Sequence, residues 1–236
     1  MRVTPLLLLI ILTNLGMGNA FSQELLVIED FERYEVNSLP LLWRMPDKNM
    51  RSMRELPLDH ARPNDFVDVV AEDDGNVLRA YTEGESVQVA LSRADELVWN
   101  IESFPRLRWR WRADELPDGA REDTRSLNDT GAALYVAFDC NDWLGRPCTI
   151  KYTYSSTLPI DTRVRYGRLF AWVVTTASDV MGEWVTVERN VVQDYERIFG
   201  RTPPGNPIYI MIWSDSDNTG GVADVYFDDL VVLAEG

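Results

Sequence analysis

Residues 131–156, GAALYVAFDCNDWLGRPCTIKYTYSS, decide the fold that the sequence predicts. They read as a β-hairpin whose tip is closed by Cys140 and Cys148, the only two cysteines of the chain. Because side chains alternate along a strand, one register places three apolar pairs on the same face. The predicted pairs are Phe138 opposite Ile150, Val136 opposite Tyr152 and Leu134 opposite Tyr154. We expect this face to lie in the core, because a buried face fixes the register of a hairpin.

A second period-two signal lies at residues 106–112, RLRWRWR. Leu107, Trp109 and Trp111 face one way, and the arginines face the other. Several further short strands with turn signals follow, and residues 193–199 before Gly200 predict a short helix. This pattern predicts an all-β protein, a jelly-roll-like antiparallel β-sandwich with one or two short helices.

The N-terminus has the features of a secretory signal peptide. Met1 and Arg2 form a basic start, residues 6–12 are apolar, and Gly18, Asn19 and Ala20 form a small-residue cleavage site. We therefore predict a signal peptide at 1–20 and a single β-sandwich domain at 21–236, periplasmic or secreted. The apolar run is too short to span a bilayer, so we expect no membrane span after cleavage. Export and an even cysteine count favour a Cys140–Cys148 disulfide.

The charge of the chain limits its partners. It has 23 Lys and Arg against 38 Asp and Glu, a net charge of −15. Removal of the signal peptide takes away one arginine, which gives 22 − 38 = −16. Long-range attraction to nucleic acid or to an anionic membrane surface would have the wrong sign, so both are disfavoured as partners.

Two groups of acidic residues are candidate sites for a structural calcium ion. Residues 215–221, DSDNTGG, offer the carboxylates of Asp215 and Asp217 in a glycine-rich turn. The match to an EF-hand loop fails, because its twelfth position is Tyr226 instead of glutamate. A hydrogen-bonded turn without a metal is the alternative.

The second group depends on strand order. Asp30 and Glu32 lie at the end of the first predicted strand, and Asp228 lies in the last one. If these strands pair, the carboxylates meet, and a cation would relieve their repulsion. The alternative is that they remain separate, solvated charges.

A row of arginines is the predicted ligand-binding face. Guanidinium groups bind carboxylate and sulfate, so the row could bind an acidic polysaccharide or another component of the cell envelope. The row consists of Arg106, Arg108, Arg110 and Arg112, and Tyr135 and Lys151 lie on a similarly polar strand face. Trp143, at the hairpin tip, could stack on a sugar ring. The alternatives are that the arginines pair with nearby acids and that Trp143 packs against the disulfide.

No catalytic residue can be named from the sequence. His60 is the only histidine, and GxSxG, HExxH and phosphate-binding glycine loops are missing from the sequence. A pair of acidic residues for glycoside hydrolysis remains an open alternative, because such a pair is defined by the distance between the two carboxyl groups in space and not by their spacing in the sequence.

Several segments between about residue 66 and residue 233 carry a family resemblance. They include LRWRWR at 107–112, LYVAF at 134–138, IKYTY at 150–154 and DSDNT at 215–219. Together they resemble the bacterial family called domain of unknown function 3047, which implies an exported β-sandwich without an established activity. A looser resemblance links DFE at 30–32 and FDD at 227–229 to carbohydrate-binding jelly rolls, in which such segments frame a structural calcium.

Three functions agree with these observations. The first is a non-catalytic, exported β-sandwich that binds a glycan or another cell-envelope ligand. The second is a polysaccharide hydrolase or lyase that uses carboxylates or a tyrosine beside an arginine. The third is a structural protein-interaction module, which an exposed apolar patch would favour.

Overall fold

The structure, a computed structural model, describes residues 24–46, 52–57, 62–94, 96–140 and 143–235. The predicted signal peptide lies outside these residues. No helix in the described part of the chain has the length and apolar character that crossing a bilayer requires.

Fourteen strands and one helix make up the described chain. In chain order they are β1 Leu25–Glu29, β2 Arg44–Pro46, β3 Met53–Glu55, β4 Asp65–Glu72, β5 Gly75–Glu83, β6 Ser86–Ser92, β7 Arg106–Glu115, β8 Thr130–Phe138, β9 Cys148–Ser155, β10 Arg163–Tyr166, β11 Leu169–Thr176, β12 Val185–Asn190, α1 Val191–Phe199, β13 Tyr209–Asp215 and β14 Val222–Leu233. The short strands β2, β3 and β10 were not predicted from the sequence.

The strands form two sheets. The six-stranded sheet has the order β12-β7-β14-β5-β4, and β1 also pairs with β14. The eight-stranded sheet has the order β10-β11-β9-β8-β13-β6-β2-β3. Neighbours are antiparallel except β9 and β11, which run parallel because the chain first passes through β10 at the sheet edge. The predicted jelly-roll-like β-sandwich is confirmed, with this one parallel pair as the departure from it.

Aromatic rings from both sheets meet in the core. The ring centroids of Trp109 on β7 and Tyr152 on β9 are 5.4 Å apart, and those of Trp111 and Tyr154 are 5.6 Å apart. All four side chains are fully buried. The apolar face of the RLRWRWR strand therefore packs on the apolar face of the hairpin strand β9, and these rings contribute much of the buried apolar area.

The predicted hairpin forms, but its register differs by two residues. The observed pairs are Phe138 with Cys148, Val136 with Ile150 and Leu134 with Tyr152. Because the side-chain period is two, this shift leaves every predicted apolar residue on its predicted face. Cys140 lies beyond the last ladder pair, and the predicted disulfide to Cys148 closes with a Cα–Cα distance of 5.6 Å. The bond thus joins residues that are not directly opposite.

The helix α1 is the predicted one, beginning two residues earlier. The Asn190 side chain accepts a hydrogen bond from the Gln193 backbone N–H and caps the first turn. Gly200 ends the helix with φ +70°, a conformation that favours glycine. Tyr195 is buried, so the helix covers one end of the sandwich.

Candidate functional site

A pocket of about 390 Å³ opens on the outer face of the eight-stranded sheet. It lies between the hairpin tip and the turn that joins β10 to β11. The sheet contributes Tyr135, Thr149, Tyr209 and Trp213, and the turns with their strand ends contribute Arg146, Pro147, Tyr166, Gly167, Arg168 and Leu169. Small-molecule sites typically have a volume in this range and apolar, aromatic walls.

The strands β8 and β13, which contribute to the pocket floor, are apolar on both faces. Their core-facing side chains are Leu134, Val136, Ile210 and Ile212. Their outward side chains form a second apolar cluster, with Ala133, Tyr135 and Ala137 on β8 and Tyr209, Met211 and Trp213 on β13. The polar strand face predicted for Tyr135 and Lys151 is thus wrong for β8, and the apolar residues on both faces of this strand are the sequence signal that indicates a second buried face.

Two predicted site residues lie on this face, but only one lines the pocket. Tyr135 stacks on Trp213, with ring centroids 5.7 Å apart and ring planes 24° apart. Lys151 is opposite Tyr135 and only 7% exposed, with its Nζ 5.6 Å from the Tyr135 ring centroid. Its ammonium donates to Thr130 Oγ1 at 2.8 Å, and burial lowers its pKa. Lys151 thus ties β9 to the start of β8 beneath the surface.

Tyrosines of the pocket are held by neighbouring groups. Burial raises the pKa of Tyr209 to about 12, and a hydrogen bond from the Thr149 side chain opposes this effect. The Tyr166 hydroxyl donates to the backbone oxygen of Glu122, which fixes the β10–β11 turn against the loop at 116–129. Tyr166 is 36% exposed, so a ligand can reach its ring.

The predicted arginine row lies on the other sheet. It occupies the outer face of β7, between β12 and β14, and so does not join Tyr135 and Lys151 on one surface. Three of its four members form ion pairs, Arg106 with Glu188, Arg110 with Asp228 and Arg112 with Glu72. Arg108 is half-buried and has no ion pair within the described residues. Three of the four arginines therefore follow the alternative interpretation, in which they pair with nearby acids.

Aromatic rings complete this ion-pair network. The guanidinium carbons of Arg110 and Arg112 lie 4.8 and 5.4 Å from the Trp184 ring centroid, and that of Arg112 lies 4.1 Å from the Tyr226 ring centroid. Burial raises the pKa of Asp228 to about 6, an effect that the Arg110 hydrogen bond opposes. These contacts stabilise the outer face of the six-stranded sheet and leave little of Arg110 and Arg112 for a ligand.

Trp143 is 88% exposed at the hairpin tip. It does not pack against the disulfide as the alternative interpretation proposed. Arg146 lines the pocket, and Trp143 precedes it by only three residues in the chain. Whether its ring contacts a ligand stays a prediction.

One of the two predicted acidic groups is assembled, with a further member. Carboxylate oxygens of Asp129, Asp215 and Asp217 all lie within 4.8 Å of one another. Asp129 is held by the backbone N–H groups of Asn218 and Thr219, at 3.0 and 2.7 Å. Asp129 is not a candidate ligand from the sequence alone, because only the pairing of β8 with β13 brings it to this loop.

Electrostatics make this cluster unusual. The pKa of Asp215 is raised to about 7, mainly by burial; Lys151 opposes the rise, and the carboxylates of Asp217 and Asp129 contribute to it. Asp215 Oδ1 is buried and has no hydrogen-bond partner within the described part of the chain. Three carboxylates are hard oxygen ligands of the kind that calcium prefers, so the residues fit the predicted ion.

The other acidic group has different partners. The first strand β1 does pair with the last strand β14, which is the condition for this group to assemble. However, Glu32 accepts a hydrogen bond from the Asn76 backbone N–H at 2.9 Å, and Asp228 pairs with Arg110. Among the described residues, Asp30, Glu32 and Asp228 do not form a cluster of three close carboxylates. Calcium at this position stays a prediction without support from the contacts.

Comparison with known proteins gives distant structural likeness. The CBM22-1 xylan-binding domain of Paenibacillus barcinonensis Xyn10C is 14% identical, with a TM-score of 0.35 over 75% of this chain and 85% of that domain. The family 11 carbohydrate-binding module of the Clostridium thermocellum cellulase Lic26A-Cel5E is 11% identical, with a TM-score of 0.35 over 74% and 85%. The catalytic domain of Humicola grisea Cel12A is 12% identical, with a TM-score of 0.38 over 72% and 87%. At these TM-scores the likeness carries no argument about function.

The sequence comparisons differ in outcome. No curated protein matches the chain. A family model matches residues 52–231, and these cover most of the described sandwich. The chain therefore belongs to the family described as Protein of unknown function (DUF3047).

Proposed function

We propose that this protein binds a saccharide of a polysaccharide or of the cell envelope, and that it does so without catalysis. The observation that carries the proposal is the aromatic pocket on the outer face of the eight-stranded sheet. This location replaces the arginine row, whose side chains are largely taken up by ion pairs.

The pocket has the chemistry that sugar rings need. Trp213 and Tyr166 are partly exposed, so their rings can pack against the C–H faces of a sugar. Tyr135 and Tyr209 form the floor below them. Polar groups at Thr149 and at the rim can bind hydroxyls, and a few placed polar groups in an apolar site provide orientation.

Two observations support a location outside the cytoplasm. The predicted signal peptide indicates export, and the Cys140–Cys148 disulfide is typical of proteins in oxidising compartments. In the periplasm or outside the cell, envelope glycans are available as ligands.

The side chains of the pocket favour binding over catalysis. A hydrolase needs two carboxyl groups that face each other, and the lining residues include no acid. A lyase that uses tyrosine as a base needs an accessible phenolate. Burial raises the pKa of Tyr135 and Tyr209, which disfavours their phenolates near neutral pH.

A panel of oligosaccharides tests the proposal. Isothermal titration calorimetry with neutral and acidic oligosaccharides should identify at least one ligand, and tryptophan fluorescence should change as Trp213 is covered. Tyr166→Ala should weaken that ligand about tenfold, because losing one ring contact costs about 1.4 kcal/mol. Tyr166→Phe should keep most of the affinity, because the ring is kept, and the lost hydrogen bond to Glu122 should mainly lower the melting temperature.

A matched control lies on the other sheet. Tyr81 is also partly exposed and stacks on Phe66, with ring centroids 5.1 Å apart. Tyr81→Ala should leave ligand affinity unchanged. If folded protein gives no heat and no fluorescence change with any oligosaccharide of the panel, the proposed function is wrong. Release of an unsaturated product would instead identify a lyase.

A further inference from the structure

A second cavity, of about 690 Å³, lies beside the start of helix α1, and we infer that it binds an aliphatic diamine or polyamine. It shares no lining residue with the aromatic pocket, so the inference is independent of the proposed saccharide site. Its volume is within the range of small-molecule sites. Aliphatic walls together with two carboxylates, those of Glu102 and Glu235, select the ligand class, and the described lining residues include no cation.

The walls of this cavity are aliphatic. Four side chains provide them, those of Ile101, Pro105, Val192 and Pro203. Unlike the aromatic pocket, this cavity has no aromatic ring among its described lining residues. A ring-shaped ligand gains from stacking on aromatic faces, whereas a methylene chain needs only apolar contact area. The walls therefore favour a ligand built on a methylene chain.

Hydrogen bonds between loops hold the walls in place. The Asn206 side-chain oxygen accepts a hydrogen bond from the Ile101 backbone N–H at 3.0 Å, which joins the loop after the helix to the loop before β7. The Val191 backbone N–H donates to the Pro105 backbone oxygen at 2.8 Å, which joins the start of the helix to the same loop. A cavity that is formed before binding costs the complex less ordering entropy.

Both carboxylates have oxygen atoms that a ligand can use. Glu102 is exposed, and its carboxylate has no hydrogen bond or ion pair within the described part of the chain. Glu235 Oε1 accepts a hydrogen bond from Asn190 Nδ2 at 3.2 Å, which orients the side chain and leaves Oε2 for a ligand. An ammonium group donates up to three hydrogen bonds, and those to a carboxylate are strengthened by charge. Two carboxylates in one cavity therefore match two ammonium groups of one ligand.

The arginines that flank the lining segments in sequence are paired with other acids. Arg106, which follows Pro105, pairs with Glu188. Arg189, which precedes the helix, donates to Asp194 at 2.8 and 2.7 Å. An adjoining smaller cavity contributes one arginine and one aspartate, whose charges balance. These groups therefore add no net charge to the surroundings of the cavity.

The remaining charges beside the cavity are mostly negative. Arg201, in the loop after the helix, is exposed and contributes one positive charge. Three carboxylates oppose it, those of Glu102, Glu235 and Glu24, and a backbone hydrogen bond holds Glu24 beside the end of β14. The helix N-terminus adds a partial positive charge of about half a unit. Because the carboxylates outweigh both positive contributions, the local potential attracts a cation.

Three five-carbon probes that differ in charge test the inference by titration calorimetry. Cadaverine carries two ammonium groups, pentylamine carries one and pentanediol carries none. We expect cadaverine to bind about tenfold or more tightly than pentylamine, and pentanediol to give no detectable binding. Higher salt should weaken cadaverine, because it screens the attraction between charges. Spermidine should bind at least as tightly as cadaverine, because it has a third ammonium group.

Variants of the two carboxylates locate the site. Glu102→Gln and Glu235→Gln should each weaken cadaverine about tenfold, because each loses a charge-assisted hydrogen bond. The double variant should bind cadaverine no better than pentanediol. Glu115→Gln is the matched control, because it removes the same charge from an exposed position at the other end of β7, about 30 Å along the strand. This control should leave the affinity for cadaverine unchanged, and melting temperatures close to that of the wild type show that each variant is folded.

Several outcomes would overturn the inference. Equal binding of cadaverine and pentanediol, or an equal loss of affinity in Glu115→Gln and Glu102→Gln, would mean that the two carboxylates do not select the ligand. Binding of a trilysine peptide without binding of cadaverine or spermidine would identify a basic peptide as the occupant instead. Absence of heat with every amine at millimolar concentration would show that the cavity binds no amine. The oligosaccharide panel tests the saccharide pocket separately, so each of these outcomes leaves the proposed function intact.

Discussion

Tyr135 and Trp213 lie on neighbouring strands of the eight-stranded sheet, with ring centroids 5.7 Å apart and ring planes 24° apart. They stack on the face turned away from the core, where a sheet normally carries polar side chains. An apolar cluster of this kind on an outer face is best explained by a ligand or a partner that covers it. The stack therefore connects the packing of the sheet with the proposed binding function.

Replacing Trp213 tests this connection. Trp213→Ala should weaken the best saccharide ligand about tenfold or more, because it removes one wall of the pocket and exposes Tyr135. The free energy of unfolding should fall by only about 1 kcal/mol, the scale of one aromatic pair. Calorimetric titration and urea unfolding measure the two effects. Trp184→Ala, which removes a partly exposed ring from the other sheet, should leave affinity unchanged; equal loss in both variants would contradict the assignment of the pocket.

The arginine row should matter for stability and not for binding. Arg110→Gln leaves Asp228 buried without its cation, so we expect a loss of about 2 kcal/mol in unfolding free energy. This is below the cost for a fully buried pair, because Arg110 is partly exposed. Arg108→Gln, which breaks no ion pair within the described residues, should cost less than about 0.5 kcal/mol. If either variant loses saccharide binding while it remains folded, the arginine row is the ligand-binding face after all.

The sequence predicts the layers of this fold because alternation is local. Leu107, Trp109 and Trp111 mark a core face within seven residues, and the hairpin keeps its faces even though its register differs by two. The exact register of the hairpin cannot be deduced from the sequence. A disulfide can join residues that are not directly opposite, and Cys140 lies beyond the last pair of the ladder. The strand β10 has only four residues, two of them arginine, and this is too short a pattern to predict a strand.

The site is less predictable because it depends on pairing between distant segments. Alternation shows that Arg110 and Tyr135 each point away from the core, but not that they lie on opposite sheets. Asp129 reaches Asp215 only through the pairing of β8 with β13. The pocket is not predicted either, because the neighbours of Tyr135 and Lys151 in sequence indicate a polar strand face, whereas Tyr135 packs in an apolar cluster with residues of β13.

The disulfide should make a measurable contribution to stability. Closing the short loop between Cys140 and Cys148 is expected to contribute about 2.5 kcal/mol in the chain-entropy model. Reductant should therefore lower the urea midpoint of the wild type, and the double variant Cys140→Ser/Cys148→Ser should start at the lower midpoint and not respond. If thiol labelling of the exported protein counts two free thiols, the predicted disulfide is wrong.

Calcium remains a prediction, now located at the cluster of Asp129, Asp215 and Asp217. An ion that binds only the folded state raises the melting temperature in proportion to RT ln(1 + [L]/Kd). We expect millimolar calcium to raise it by a few degrees and chelator to reverse the change. Asp129→Asn should remove the response, whereas Asp30→Asn should keep it if the cluster is the site. No response in the wild type would mean that Lys151 and a bound proton balance these charges instead.

The protonation of Asp215 gives the last prediction. Burial raises its pKa from an ordinary value near 3.8 to about 7, so between about pH 4 and pH 7 the folded state binds more protons than the unfolded state. This group's contribution to stability is therefore lost as the pH rises through that range, by about 1.4 kcal/mol for each unit of pKa difference. Asp215→Asn mimics the neutral carboxyl, so its advantage in unfolding free energy over the wild type should grow from pH 4 to pH 7 and then stay constant. Asp118→Asn, a substitution at an exposed position of the 116–129 loop, should show the same pH dependence of the unfolding free energy as the wild type. Urea unfolding at several pH values without added metal measures the difference, and a constant gap across pH would contradict the raised pKa.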